Sequence, residues 1–241
     1  DYAFAGCTAL REIRIPDSVT EMGRSAFFEC RALERISLGG GLTYLPGDVF
    51  SCCTALQSVE LPAQITEIGA YAFSSCGALE TVGLGSGVTK IGQSAFCMCT
   101  ALTDVTLPDG LQEIGYNAFS HTALTALSIP DSVHTLGGAA FADCAALARI
   151  ELPAHLRELK RDTFAGCTAL TAITLPDGAE SIGDEAFSGC TALTDVFLPD
   201  SLRRFAETAF ADCSEALLLH GPAGSAAEHF AERYALAFRA D

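Results

Sequence analysis

The chain has 241 residues, of which 49% are hydrophobic and 18% are charged, and its net charge is −16. A disordered chain combines low hydrophobicity with high charge, so this composition excludes intrinsic disorder. The acidic balance repels phosphate groups and argues against binding of nucleic acid. No apolar run approaches the roughly 18–20 residues that span a bilayer, so we expect no membrane insertion.

A repeat of 23 residues runs through the chain and is marked by phenylalanine. The interval is 23 residues at every step except the one from Phe119 to Phe141, where it is 22. The sixth repeat loses a residue and its cysteine at that step, leaving Ser120-His121-Thr122. The coils are numbered one to ten by their phenylalanines, which are Phe4, Phe27, Phe50, Phe73, Phe96, Phe119, Phe141, Phe164, Phe187 and Phe210.

Most coils begin with the pattern Phe-x-x-Cys-x-x-Leu, as in Phe27, Cys30 and Leu33. Spacings of three place these side chains on one face of a short helical or 3₁₀ turn. We therefore predict that the phenylalanine and cysteine positions form the core. The predicted core comprises Phe27, Phe50, Phe73, Phe96, Phe119, Phe141, Phe164, Phe187, Cys30, Cys76, Cys144, Cys167 and Cys190.

The eleven cysteines favour packing over chemistry, because nine of them share one register and unpaired cysteine is among the most buried residue types. Disulfides or a metal cluster between stacked coils are the alternative, and the additional Cys52 and Cys97 favour it. Neither Cys52-Cys53 nor Cys97-x-Cys99 has a second ligand pair at zinc spacing. We expect no metal and no cofactor, and the sequence leaves open whether Cys52 or Cys97 is reactive.

An Ile-x-Leu pattern follows in each coil and predicts a short β-strand, as at Ile36 and Leu38. Period two points both apolar side chains inward, and a proline such as Pro62 ends the strand because it has no N–H. A second apolar pair, such as Ile65 and Ile68, follows. One coil cannot bury these side chains alone, so neighbouring coils must stack into a single solenoid.

The end of the chain departs from the repeat. Ser225 and Glu228 have the spacing of a capping box, and Phe230 belongs to the apolar face of the helix that it would start. We predict one domain over residues 1–241, with repeats in 1–219 and a helical cap in 220–241. The sequence starts in mid-repeat, so we expect it to be the C-terminal part of a longer polypeptide with an uncapped first coil.

The core pattern A-F-x-x-C-x-x-L-x-x-I-x-L-P resembles the BspA-type leucine-rich repeat, the treponemal and protist-surface subclass with a 23-residue period. The segment from Gly221 to Glu228 looks like the closing motif of that family. The resemblance implies an α/β leucine-rich-repeat solenoid of about ten coils, with a parallel sheet of short strands, short helical or 3₁₀ turns and a C-terminal helical cap. It also implies a secreted or surface-displayed microbial protein, since family members include bacterial adhesins.

The residues on either side of each inward strand residue point outward, and they predict two rows along the sheet. These rows form the candidate binding face. Its residues are Arg14, Arg35, Ser37, Ser58, Glu60, Thr81, Asp104, Thr106, Ser128, Arg149, Glu151, Thr174, Asp195 and Phe197. Phe197 either anchors an interface or is covered by the terminal helix, and its place beside the cap favours the cover.

Motifs of common enzymes are missing from the sequence, including G-x-S-x-G, H-E-x-x-H and the Walker A loop. We therefore expect a non-enzymatic recognition or adhesion module that binds a protein or glycan through the repetitive face. A structural spacer that presents another domain is the alternative. We expect a monomer, or weak end-to-end contact through the uncapped first coil.

Overall fold

A computed structural model describes residues 1–240. Almost all of its regular structure is in strands of two to four residues. The elements in chain order are β1 (Glu12–Arg14), β2 (Arg35–Ser37), β3 (Tyr44–Leu45), β4 (Ser58–Glu60), β5 (Glu67–Ile68), β6 (Thr81–Gly83), β7 (Lys90–Ile91), β8 (Asp104–Val105), β9 (Glu113–Ile114), β10 (Ala126–Ser128), β11 (Thr135–Leu136), β12 (Arg149–Glu151), β13 (Glu158–Leu159), β14 (Ala172–Thr174), β15 (Ser181–Ile182), β16 (Asp195–Phe197), β17 (Arg204–Phe205), β18 (Leu218–Gly221), α1 (Ala226–Tyr234) and β19 (Ala237–Ala240).

The strands form two rows of parallel pairs, and each regular coil contributes one strand to each row. The first sheet has three segments, ordered β1-β2-β4-β6-β8, β10-β12 and β14-β16-β18-β19. The second sheet has two segments, ordered β3-β5-β7-β9-β11 and β13-β15-β17. The predicted parallel-sheet solenoid of about ten coils is confirmed. The second sheet was not expected as a sheet, because its two-residue strands show no alternation in the sequence.

The corner at each phenylalanine makes the i→i+3 hydrogen bonds of separate turns, as from Cys30 N to Phe27 O at 3.1 Å. A continuous 3₁₀ segment does not form, because Ser25 and Glu29 have positive φ angles of 56° and 57°. Their amide groups donate instead to the next coil, at 3.0 Å to Gly47 O and 2.9 Å to Ser51 O. The corner therefore acts as a third line of backbone pairing between coils.

The phenylalanines form a continuous stack through the middle of the solenoid. Neighbouring ring centroids lie between 5.0 Å, for Phe4 and Phe27, and 5.8 Å, for Phe119 and Phe141. All the predicted core phenylalanines from Phe27 to Phe187 have at most 1% of their surface exposed, whereas Phe4 is 41% exposed at the end of the stack. Each ring is covered by the rings of its two neighbours, so burial depends on stacking.

The cysteines form a second line of contacts parallel to the phenylalanine stack. The predicted core thiols are all buried, and every cysteine of the chain is a free thiol. Each core thiol donates to the carbonyl oxygen of the phenylalanine one coil back, as from Cys76 Sγ to Phe50 O at 3.1 Å. In coil six, Thr122 takes the cysteine position, but its hydroxyl donates within its own coil, to Phe119 O at 2.9 Å. Both residue types at this position are small and can donate a hydrogen bond.

The C-terminal helix α1 begins as predicted. Ser225 is its N-cap, and the Ser225 hydroxyl accepts a bond from Glu228 N at 3.4 Å. The helix buries Phe230, whose ring lies 4.5 Å from that of Phe205 and 6.0 Å from that of Phe210. The last strand, β19, then pairs in parallel with β18. This strand was not expected, and it extends the first sheet by one position.

Replacement of Phe119 by alanine should lower the free energy of unfolding by roughly 3–5 kcal/mol, because it leaves a cavity in the middle of the stack. Phe4→Ala is the matched control, and it should cost much less because Phe4 is already 41% exposed. Urea denaturation followed by far-ultraviolet circular dichroism measures both values. Equal losses for the two variants would contradict the importance of the stack.

Candidate functional site

The first sheet carries the two predicted rows of outward side chains. Its strands are in register, so that Arg14 lies beside Ser37 and Ser58 lies beside Thr81. The central residue of each strand is turned toward the core, as at Val59, which is 2% exposed. All the predicted face residues are exposed except Asp195, which is half-buried. Those of coils one to four lie along strands that pair without interruption.

Pairing in the first sheet stops between β8 and β10, and again between β12 and β14. The first break coincides with the short sixth coil, whose missing residue falls just before β10. A single long backbone bond, from Thr125 N to Thr103 O at 3.4 Å, remains at that point. No departure from the repeat marks the second break. Both breaks fall within the predicted face and open it locally.

Two grooves lie over these breaks. Groove A has a volume of about 640 Å³, and groove B has a volume of about 670 Å³. Groove A is lined by Asp104, Thr106, Asp109, Ser128, Arg149 and Glu151. Groove B is lined by Arg149, Glu151, Ala172, Thr174 and Asp177. The structure therefore gathers six of the predicted face residues around one region of coils five to eight.

Arg149 is the basic residue that both grooves share. Within residues 1–240 it forms no salt bridge, so its guanidinium donors face solvent. Asp104 and Glu151 line groove A beside it and supply acceptors, while Thr106 and Ser128 carry hydroxyl groups. Such a surface can exchange several hydrogen bonds with a polar ligand.

The C-terminal end of the face differs from the prediction. The expectation that the terminal helix covers Phe197 is wrong: Phe197 is 40% exposed, and its ring stacks on that of His220 at a centroid distance of 4.4 Å. His220 is buried beneath this stack, and its Nε2 lies 2.8 Å from Asp195 Oδ1. The hydrogen bond with His220 lowers the pKa of Asp195, and the bond from the Thr194 hydroxyl lowers it further by a smaller amount. These contacts explain why Asp195 is half-buried.

A third groove, groove C, lies on the second sheet and was not predicted from the sequence. It has a volume of about 350 Å³. Groove C is lined by Glu113, Tyr116, Gly137, Gly138, Lys160 and Arg161. It lies where β11 and β13 fail to pair. The signal that marks it is Lys160, which stands at the position that glycine occupies in the three preceding coils as Gly92, Gly115 and Gly137.

The cysteines show little of the chemistry of a reactive site. Burial raises the pKa of Cys53 to about 12 and that of Cys144 to about 11. Burial also raises the pKa of Cys97, which is one of the two additional cysteines. A raised pKa lowers the fraction of nucleophilic thiolate near neutral pH. Within the described part of the chain, no group of three His, Cys, Asp or Glu side chains is placed to hold a metal ion.

The family model described as BspA type leucine rich repeat region matches the chain in six copies, over residues 1–103 and 89–217. No curated protein matches the chain significantly. Within residues 1–240, no helix has the length and apolar character needed to cross a membrane.

Solved structures similar to the chain include a leucine rich cell surface protein from Faecalibacterium prausnitzii A2-165, at 27% identity and a TM-score of 0.52, covering 91% of this chain and 81% of that one. The T. pallidum leucine rich repeat protein is 28% identical with a TM-score of 0.62, covering 76% of this chain and 78% of that one. A leucine-rich repeat protein from Eubacterium ventriosum ATCC 27560, at 20% identity and a TM-score of 0.53, covers 86% of this chain and 59% of that one and supports the fold alone.

The buried thiols should make the protein less stable in alkali. An exposed Cys53 in the unfolded chain ionises near 9.0, whereas folding raises its pKa to about 12. The unfolded state therefore binds fewer protons between these values, and the free energy of unfolding falls by about 1.4 kcal/mol per pH unit for each such thiol. Urea denaturation at pH values from about 8 to about 11 gives the free energy of unfolding as a function of pH. This free energy should fall less steeply with pH for Cys53→Ala than for the unmodified protein.

The control for this experiment is Cys7→Ala. Cys7 is exposed in the folded protein, so folding removes little water from its thiol. This variant should keep the slope of the unmodified protein. If Cys53→Ala and Cys7→Ala had the same pH dependence, burial of the thiol would not be the source of the slope.

Proposed function

The chain belongs to the BspA-type leucine-rich repeat family, and we propose that it is a non-enzymatic recognition or adhesion module. The region that we assign to the partner is the first-sheet face over coils five to eight. Leucine-rich repeat domains in general mediate protein interactions, and the solenoid presents its variable side chains in fixed register.

The observation that carries this proposal is the coincidence of grooves A and B with the predicted outward rows. Elsewhere the first sheet is closed by hydrogen bonds between neighbouring strands. At the two breaks it opens into adjoining grooves of about 640 and 670 Å³. Grooves of this size bury far more of a ligand than a flat row of short side chains does.

The groups in these grooves favour a polar partner, either a protein segment or a glycan. Thr106, Ser128 and Thr174 offer hydroxyl groups, and Arg149 offers donors that no carboxylate of the described residues occupies. Hydrogen bonds and water-mediated contacts dominate such polar interfaces. The acidic net charge of −16 disfavours nucleic acid as the partner.

We further propose a secreted or cell-surface location in a bacterium. The support is the F. prausnitzii structure, which is described as a cell surface protein and is 27% identical over 91% of this chain. A monomer fits the polar sides of the solenoid, with weak end-to-end contact through the first coil, where Tyr2 is 60% exposed and Phe4 is 41% exposed.

A structural spacer is the second candidate. The unbroken phenylalanine stack supports it, since rings 5.0–5.8 Å apart link coil one to coil ten and would hold the two ends of the solenoid at a fixed separation. A spacer needs no partner on the first-sheet face, so the two functions predict different outcomes for variants of that face.

The test uses the double variant Thr106→Lys/Ser128→Lys, which places two ammonium groups in groove A. The protein is screened by biolayer interferometry against a panel of purified extracellular matrix proteins and a glycan array. We expect any partner that binds to lose at least about ten-fold in affinity, a change of about 1.4 kcal/mol, with the urea midpoint unchanged.

The matched control is Thr8→Lys/Thr191→Lys, which adds the same charge at exposed corner positions away from the first sheet. It should bind like the unmodified protein. Equal binding by both double variants would exclude the first-sheet face, and binding to nothing on the panel or the array would favour the spacer.

A further inference from the structure

Groove C lies on the opposite row of strands from the proposed partner face. It is bounded by Tyr116, Lys160 and Arg161, and glycines 137 and 138 form its floor. Its volume of about 350 Å³ is at the lower end of the range for small-ligand sites, roughly 300–1,000 Å³. It is therefore large enough for one or two sugar rings.

Groove C lies where one coil departs from the glycine pattern of the second sheet. A glycine follows most strands of the second sheet and lies against the preceding coil: a Cβ on Gly92 would lie 2.8 Å from Ala70 N, and one on Gly137 would lie 2.4 Å from the Gly115 carbonyl carbon. Lys160 carries a full side chain at this position. The bond that Gly137 N makes to Ile114 O at 2.8 Å has no counterpart at Lys160, and β11 and β13 separate.

Two cations stand side by side at this opening, in a chain with 14 basic and 30 acidic residues. Arg161 Nε donates to Asp162 Oδ2 at 2.9 Å, which fixes the guanidinium group and leaves its two outer nitrogens available. Lys160 forms no salt bridge within residues 1–240. The carboxylate of Glu113 is engaged by Lys90 at 3.6 Å.

An aromatic ring completes the groove. Tyr116 is 46% exposed. A Cβ on Gly138 would lie 3.6 Å from Tyr116 Cδ2 and 3.5 Å from Arg161 Cγ, so the absence of a side chain at Gly138 keeps the space between ring and cation open. A solvent-facing ring beside a fixed guanidinium offers an apolar surface and an anion site to the same small molecule.

We propose that groove C binds a uronic acid residue of an acidic glycan. The sugar carboxylate pairs with Lys160 and the outer nitrogens of Arg161, and the apolar face of the pyranose ring lies on Tyr116. Inorganic phosphate would use only the cations and would leave the tyrosine ring unused. A neutral sugar would use the ring and leave both cations unpaired, so the combination of groups favours a ring that carries a carboxylate.

The test compares two disaccharides that differ only at one carbon: cellobiose, and the glucuronate-containing cellobiouronic acid. Amide chemical shifts of the ¹⁵N-labelled protein are followed during titration. We expect the uronate to bind at least about ten-fold more tightly than cellobiose and to shift the amides of Gly138 and Arg161. Lys160→Gln should remove the preference for the uronate over cellobiose. Tyr116→Ala should lower the affinity for both sugars, and Tyr116→Phe should keep the affinities of the unmodified protein.

The control variant is Arg204→Gln, which removes an exposed cation from β17 of the same sheet and should leave binding unchanged. Equal affinity for the two sugars, or no binding of the uronate, would overturn the proposal. If sodium phosphate displaced the uronate and Tyr116→Ala had no effect, groove C would be a simple anion site. None of these outcomes bears on grooves A and B, so the proposed function is tested separately.

Discussion

Stacking of one coil on the next is the contact on which every other feature of this protein depends. A coil of 23 residues buries Phe73 only because Phe50 and Phe96 lie above and below it at 5.3 Å. The same stacking supplies the carbonyl oxygen of Phe50 to the thiol of Cys76. Because each coil contacts only its neighbours, stability is a sum of nearest-neighbour terms.

This dependence also explains where grooves can form on the surface. A coil that follows the consensus closes its backbone bonds with both neighbours and leaves a surface of short side chains. The residue missing from coil six coincides with groove A, and Lys160 in place of glycine coincides with groove C. Each departure weakens pairing along one line, while the phenylalanine stack remains continuous at 5.7 Å between Phe141 and Phe164. The protein thus opens its surface without losing its core.

The core could be predicted from the sequence because phenylalanine and cysteine recur at a fixed interval, and periodic residues must face the same way. The exposure of Thr106 and Ser128 followed from alternation within a strand. The grooves could not be predicted, since they depend on whether a particular amide reaches the coil beside it. The stacking of Phe197 on His220 was missed because His220 was assigned to the cap, although it follows Phe197 by one repeat interval of 23 residues and lies beside it in β18.

Cysteine shows how a repeated residue can serve the backbone rather than chemistry. Its side chain is small enough for the space beside the phenylalanine stack. Its S–H donates to a carbonyl oxygen that already accepts a backbone bond. Phe27 O, for example, accepts from Cys30 N at 3.1 Å and from Cys53 Sγ at 3.2 Å. Alanine would leave that second interaction unmade, and a larger polar residue would not fit. Thr122 takes this position in coil six, where its hydroxyl donates instead to Phe119 O of its own coil. The cysteines are therefore explained by the geometry of stacking, and the proposed ligand sites lie where pairing between coils is interrupted.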